Sequence, residues 1–115
     1  MSDDRILDAA KRLGRLIGES DKQKAMRAAE AKLKATPEAE QTMKDLHEYA
    51  AKIREKEQKQ QPIEPAEKHR LAELQEKLHG NATLQELMRA EADMVELMTK
   101  VNQSVRTAMA GEESA

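Results

Sequence analysis

Apolar positions recur at helical spacing along most of this chain, and most regularly from Thr83 to Met109. There Leu84, Leu87, Glu91, Met94, Met98, Val101, Val105 and Ala108 follow one another at alternating steps of three and four. That is the a/d phase of a coiled coil or helical bundle. Met88, Val95 and Met109 add an adjoining row. The stripe is therefore wider than a two-stranded seam needs, and it predicts more than one neighbour. A helix over this stretch is about 40 Å long and would be the spine of the fold.

Four shorter helices are predicted before it. Residues 4–17 place Ile6, Ala10, Leu13 and Ile17 on one face with Leu7 and Leu16 beside it, and Gly18 suits a left-handed position after the helix. Ser20 with Gln23 reads as a capping box opening a second helix over 21–35, whose face is built from Ala25, Met26, Ala29 and Leu33. Thr36-Pro37-Glu38 signals a third, over 37–60: Thr caps, Pro takes the first helical position, and Glu faces the positive end of the dipole. Its seam runs through Ala39, Met43, Leu46, Ala50 and Ile53, and everything from Arg54 to Gln61 is polar and expected in solvent.

Pro62 and Pro65 then exclude helix between them. A fourth helix begins at Pro65, turns Leu71, Leu74 and Leu78 inward, and closes at Gly80. The short connection predicts that the third and fourth helices form an antiparallel hairpin. Asn81 or Thr83 caps the last helix, Thr83 forming a capping box with Glu86. The expected fold is all-α: about five helices in one domain over 1–110, with a disordered tail at 111–115.

Composition sharpens this picture. Ala, Glu, Lys, Arg and Leu make up more than half of the 115 residues, with no Phe, no Trp and one Tyr, as in long helices and coiled coils. Many of the apolar residues are alanines, so the core is thin. A formal net charge of −2 and the regular apolar spacing argue against disorder. Helices too poor to fill a core alone can share one, so an intertwined homo-oligomer, dimer or tetramer, is expected. Its interface residues would be Leu84, Leu87, Met88, Glu91, Met94, Val95, Met98, Val101 and Val105. There is no cysteine, and no apolar run approaches the ~20 residues of a membrane span. The opening MSDDRIL has no signal-peptide character, so a cytoplasmic protein is expected.

Little in the chain points to chemistry. Glu76 and His79 stand at Glu-x-x-His spacing on one helix face, as in di-metal carboxylate bundles, but two further inward carboxylates would be needed and His79 adjoins a helix-ending glycine. No metal or other cofactor is expected, and no catalytic residue is assigned. The four methionines of the last helix read as core rather than as a plastic binding surface. Glu91 is the anomaly. It interrupts an apolar seam, so it should lie at an oligomer rim or pair with an arginine such as Arg12 or Arg15, fixing register. The first 35 residues carry nine Lys/Arg against six Asp/Glu, too small a surplus for a nucleic-acid footprint, and aromatic residues for base stacking are lacking. Direct nucleic-acid binding is not expected.

The chain resembles the YlbF/YmcA family of small bacterial helical proteins. The resemblance is carried by ILDAAKRLGRLIGES, AMRAAEAKLKATPEAEQ, QQPIEPAE and HGNATLQELMRAEADMVELMTKVNQ, which together cover most of the sequence. It rests on layout, with a helix break flanked by prolines and a Gly-Asn before the final helix. It implies an all-helical, intertwined oligomer. It also implies a role like that of relatives that act in competence, biofilm and spore development, in a complex assisting RNase Y in mRNA processing. Two departures stand out: this chain lacks the cysteines of the iron–sulfur assembly linked to some relatives, and Ala82 stands where relatives commonly have proline. The expected function is a non-enzymatic oligomeric adaptor or regulator. It would work through other family members or a ribonuclease complex. The alternatives are a chaperone-like coiled coil with the polar end of the third helix as its tip and, last, a metal-binding helical enzyme.

Overall fold

The structure, a computed structural model, describes residues 2–111. They form five α-helices: α1 (Ser2–Gly18), α2 (Asp21–Lys34), α3 (Pro37–Gln58), α4 (Pro65–His79) and α5 (Ala82–Met109). No strand occurs among the described residues. The all-α expectation holds, with helix ends within about three residues of those read from capping and proline signals. Residues 112–115, most of the expected disordered tail, lie outside the described residues.

The described residues divide into two compact units: residues 29–87, and residues 2–28 together with 88–111. In the first unit α3 and α4 pack against each other as the expected antiparallel hairpin. Leu46 of α3 shares a cluster with Leu78 of α4. Further along, Lys56 of α3 reaches Glu67 near the start of α4. The first turn of α5 completes the core: Ala39, Leu78 and Leu84 are buried together, with Leu33, Met43 and Leu46 packed around them. Ile53 and Leu74 are buried as well. Lys32 of α2 adds an exposed ion pair with Glu86 of α5 at 3.0 Å.

The second unit holds α1, the start of α2 and the rest of α5. Ala90 is the one buried residue of this unit among those described; Met94, Leu97 and Val101 are half-buried. Lys22 of α2 helps hold the Glu96 carboxyl below its ordinary pKa, after the larger effect of Glu96's hydrogen bond and ion pair with Lys100.

The helix ends follow local chemistry, sometimes differently from expectation. Ser20 caps α2: its Oγ accepts from the Gln23 amide at 3.2 Å and donates to the Ile17 carbonyl at 2.6 Å. Asn81, not Thr83, caps α5, its Oδ1 accepting from the Leu84 amide at 3.1 Å. Thr36 does not cap α3 with its side chain. Its hydroxyl donates backward to the Lys32 carbonyl at 2.8 Å, satisfying the end of α2 instead.

The left-handed position expected at Gly18 is elsewhere. Gly18 is the last residue of α1, and positive φ occurs at Gln60 (56°) and Gly111 (76°). At Gln60 the chain closes α3 with paired bonds, Gln61 N–H to the Lys56 carbonyl (2.9 Å) and Gln60 N–H to the Glu57 carbonyl (3.1 Å). That is a Schellman motif formed without its usual glycine.

Candidate interaction surface

The apolar stripe of α1 is not covered. Residues 3–16 are exposed along the whole helix, including Ile6 (63%), Leu7, Leu13 and Leu16 (61%). At 3.6 residues per turn Ile6 and Leu13 share one side with Ala10 and Ile17, Leu7 and Leu16 flank that side at its two edges, and Lys11, Arg12 and Arg15 occupy the other. Acidic residues in the first turn (Asp3, Asp4) and Arg15 in the last complement the helix dipole. Helicity is thus built into α1 locally, but its apolar side has no cover among the described residues.

α5 presents the second half of the surface. Leu84 and Leu87, read as interface residues, are buried within the chain itself. Met94 and Val101 are half-buried. Met88, Val95 (65%), Met98, Val105 and Met109 are exposed, and Glu91 lies exposed in the same row. All the large apolar residues that are exposed among the described residues belong to α1 and to α5 from Met88 onward. The inward line of α5 runs Leu84, Leu87, Ala90, Met94, Leu97, Val101. It leaves the heptad at Ala90, because a straight helix at 3.6 residues per turn drifts about 20° per heptad from a strict seven-residue repeat.

The polar groups hold structure rather than assemble chemistry. Glu67 is buried; its Oε1 accepts from Lys56 Nζ at 2.5 Å and from the Glu64 amide at 3.0 Å, while Oε2 has no hydrogen-bond partner. The Lys56 hydrogen bond, followed by that from Glu64, holds the Glu67 carboxyl below the ordinary carboxylate range. The residues did signal this arrangement, since Glu67 is the third residue of a helix begun by Pro65. The cap position holds Glu64 rather than Ser, Thr, Asp or Asn, which hid it.

His47, His69 and His79 are all exposed. His69 Nε2 lies 2.9 Å from a Glu73 carboxylate oxygen, and His79 Nδ1 lies 2.9 Å from the Gln75 carbonyl oxygen. Glu76, the proposed partner of His79, is exposed as well. Among the described residues no three His, Cys, Asp or Glu side chains are grouped so as to hold a metal ion. Beside the hairpin, an open groove of about 410 Å³ has an apolar floor of Leu46, Ala50, Ile53, Leu71 and Leu78 and a rim that includes His47, Arg54 and Glu57.

A surface of uncovered amphipathic helices, on a fold of five short and long helices, is a trait of proteins that work by association. The sequence narrows it further. Residues 6–110 match the profile of the family described as control of competence regulator ComK, YlbF/YmcA. The chain belongs to the YlbF/YmcA family. Among solved structures it is similar to a protein of unknown function (DUF964) from Bacillus stearothermophilus, with a TM-score of 0.75 and 18% identity over 92% of this chain and 93% of that one. At that identity the likeness concerns the fold. No curated protein matches the sequence. The YlbF/YmcA profile describes regulators rather than an enzyme family, and no helix among the described residues is long and apolar enough to cross a membrane.

Proposed function

We propose that this YlbF/YmcA protein is a non-enzymatic, homo-oligomeric regulator of the cytoplasm that acts by binding other proteins. The observation that carries this reading is the concentration of exposed large apolar side chains on α1 and on α5 from Met88 onward. Monomeric proteins rarely leave so many large apolar side chains on amphipathic helices to water. Family membership supports a role near competence regulation. The resemblance to relatives that assist RNase Y gives the partner class: a ribonuclease of that type, or other YlbF/YmcA proteins bound to it.

The test is co-expression of the wild-type chain with an RNase Y-type ribonuclease and with YlbF/YmcA relatives, followed by size-exclusion chromatography. A stable complex is expected, and Val95→Glu should abolish it while leaving the helical circular-dichroism signal intact. Absence of any complex at micromolar concentration would overturn the adaptor reading.

A further inference from the structure

The polar side of α1 carries an unpaired basic row. Between residues 11 and 27 the chain has six Lys/Arg against two Asp/Glu, while its net charge is −2. The chain outside this segment is therefore acidic on balance. Lys11, Arg15 and Gly18 follow at steps of four and three, so they form one stripe of α1, on the side away from Ile6, Leu13 and Ile17.

Gly18 shows how α2 adds to that stripe. Its backbone does not require glycine, since it is the last residue of α1 and its φ is not positive. A side chain there would begin 3.8 Å from a guanidinium nitrogen of Arg27. α2 thus brings Arg27 back over the bare end of α1, where the stripe of Lys11 and Arg15 ends. Along the helix, Lys11 to Gly18 is about 10 Å.

These cations are not neutralised within the chain. Lys11, Arg15 and Arg27 are exposed, and none has a side-chain hydrogen bond or ion pair among the described residues. Exposed lysines elsewhere do pair: Lys59 with Glu55 at 2.8 Å and Lys100 with Glu96 at 3.0 Å, each with the acid four residues before the base. Arg15 instead precedes Glu19, the less favourable order. Asp8, one turn before Lys11, pairs with neither Lys11 nor Arg12, and Glu91, which the sequence offers to Arg12 or Arg15, pairs with neither of those.

We infer that the row of Lys11, Arg15 and Arg27 is a docking site for an acidic segment of a partner protein. This rests on the reading of the chain as a binder of other proteins and adds a polar surface to the apolar one. Charge complementarity identifies the occupant. Guanidinium forks pair with carboxylates two bonds at a time, and arginine clusters are a recurring means of recognising acidic motifs. A row of ~10 Å matches acidic residues three apart in an extended segment. Covering the apolar side of α1 leaves this row open, because the two lie on different sides of the helix. Nucleic acid fits less well. A long polyanion would run on to the acidic remainder of the chain, and the segment has no aromatic ring for a base to stack on.

Fluorescence anisotropy at physiological ionic strength tests the site with two labelled probes, a short poly-glutamate peptide and a short oligo-uridine. The full chain is compared with Arg15→Glu/Arg27→Glu and, as a control, with Arg54→Glu/Lys68→Glu. The control makes the same change in net charge at exposed positions of α3 and α4. Wild type should bind the peptide, and more tightly than the RNA. Reversal at Arg15 and Arg27 should weaken peptide binding at least ~10-fold, by the scale of interfacial charge pairs. The control should leave it nearly unchanged. If the reversal lowers the helical circular-dichroism signal, Arg15→Gln/Arg27→Gln takes its place and should weaken binding in the same direction by a smaller factor.

Equal weakening by the two reversals would reduce the effect to net charge and overturn the site. Tighter binding of the oligo-uridine would overturn the protein occupant. A wild-type chain that binds no peptide, yet still co-elutes with a ribonuclease or a family relative, would overturn the site and leave the protein-binding reading standing. Failure of both would remove that reading as well.

Discussion

Replacing Leu84 by Ala tests whether the hairpin unit supports itself. Leu84 is 0% exposed and lies against Ala39 and Leu78 at the start of α5. Its amide is held by the Asn81 cap, so the backbone should stay in place when the side chain is shortened. Two of its surroundings resist collapse. Ala39 has only a methyl group, too short to reach into the gap, and Leu78 is already packed in the same cluster. The cavity should therefore persist, and the cost should fall in the upper part of the Leu→Ala range, about 3 to 4 kcal/mol. Against a total of roughly 5–15 kcal/mol for a domain, that is a large fraction.

The assay is thermal unfolding followed by circular dichroism at two protein concentrations. For a chain of this size the loss corresponds to a melting temperature lower by roughly 10–15 °C. The same drop should appear at both concentrations, because Leu84 is buried within its own chain. Val95→Ala is the control. Val95 is 65% exposed, so its truncation should cost under about 1 kcal/mol within the chain and show mainly as a concentration-dependent melting temperature. A shift below about 3 °C for Leu84→Ala, or one that vanishes at high concentration, would refute the assignment of this cluster as the chain's own core.

Two further outcomes are expected. Gln60→Gly should stabilise the protein by about 0.5–1 kcal/mol, read as a higher urea midpoint, because glycine relieves the left-handed strain at φ 56° at the expense of some unfolded-state entropy; no change or a loss would mean the strain is absent. Glu67 should tie stability to pH. Its carboxyl pKa is held below the ordinary 4.5, so its contribution is fully present above that value and is lost as pH falls through the lowered folded-state value. Melting temperature should fall below about pH 4.5, less steeply in Glu67→Gln; equal slopes in the two proteins would remove Glu67 from this role.

The helices were legible because their signals are local. Pro37 and Pro65 sit in first turns, Ser20 caps, and the Pro62–Pro65 break falls between α3 and α4, where it was read. The hairpin followed from the shortness of that break. Where reading failed, a local signal had a competitor. Thr36 had a carbonyl to bond behind it as well as an amide ahead, and the backward bond won. The left-handed turn went to Gln60 because prolines just beyond force the chain away from helix there, whatever residue occupies the position. Glu67 was hidden by an acidic cap residue that no capping preference anticipates.

The proposed interface was harder to read for a different reason. A heptad states which residues share a supercoiled seam; it does not state whether the partner lies in the same chain. Along α5 the strict heptad joins Leu84 and Leu87 to Glu91, Met98 and Val105. The helix as it stands buries or half-buries Ala90 and Leu97 beside the heptad's own Met94 and Val101, and leaves Met98 and Val105 in water. A single straight helix cannot keep all of these positions on one inward line, because 3.6 residues per turn does not divide seven. The sequence nonetheless retains both sets as apolar, with one carboxylate among the outer set. A neighbour inside the chain accounts for the inner set alone. The outer set of α5 and the apolar side of α1 lie in the same unit and lack cover among the described residues. In the oligomer proposed above, a neighbour supplied by association would cover both, and the width of the α5 stripe is what that proposal predicts of the sequence.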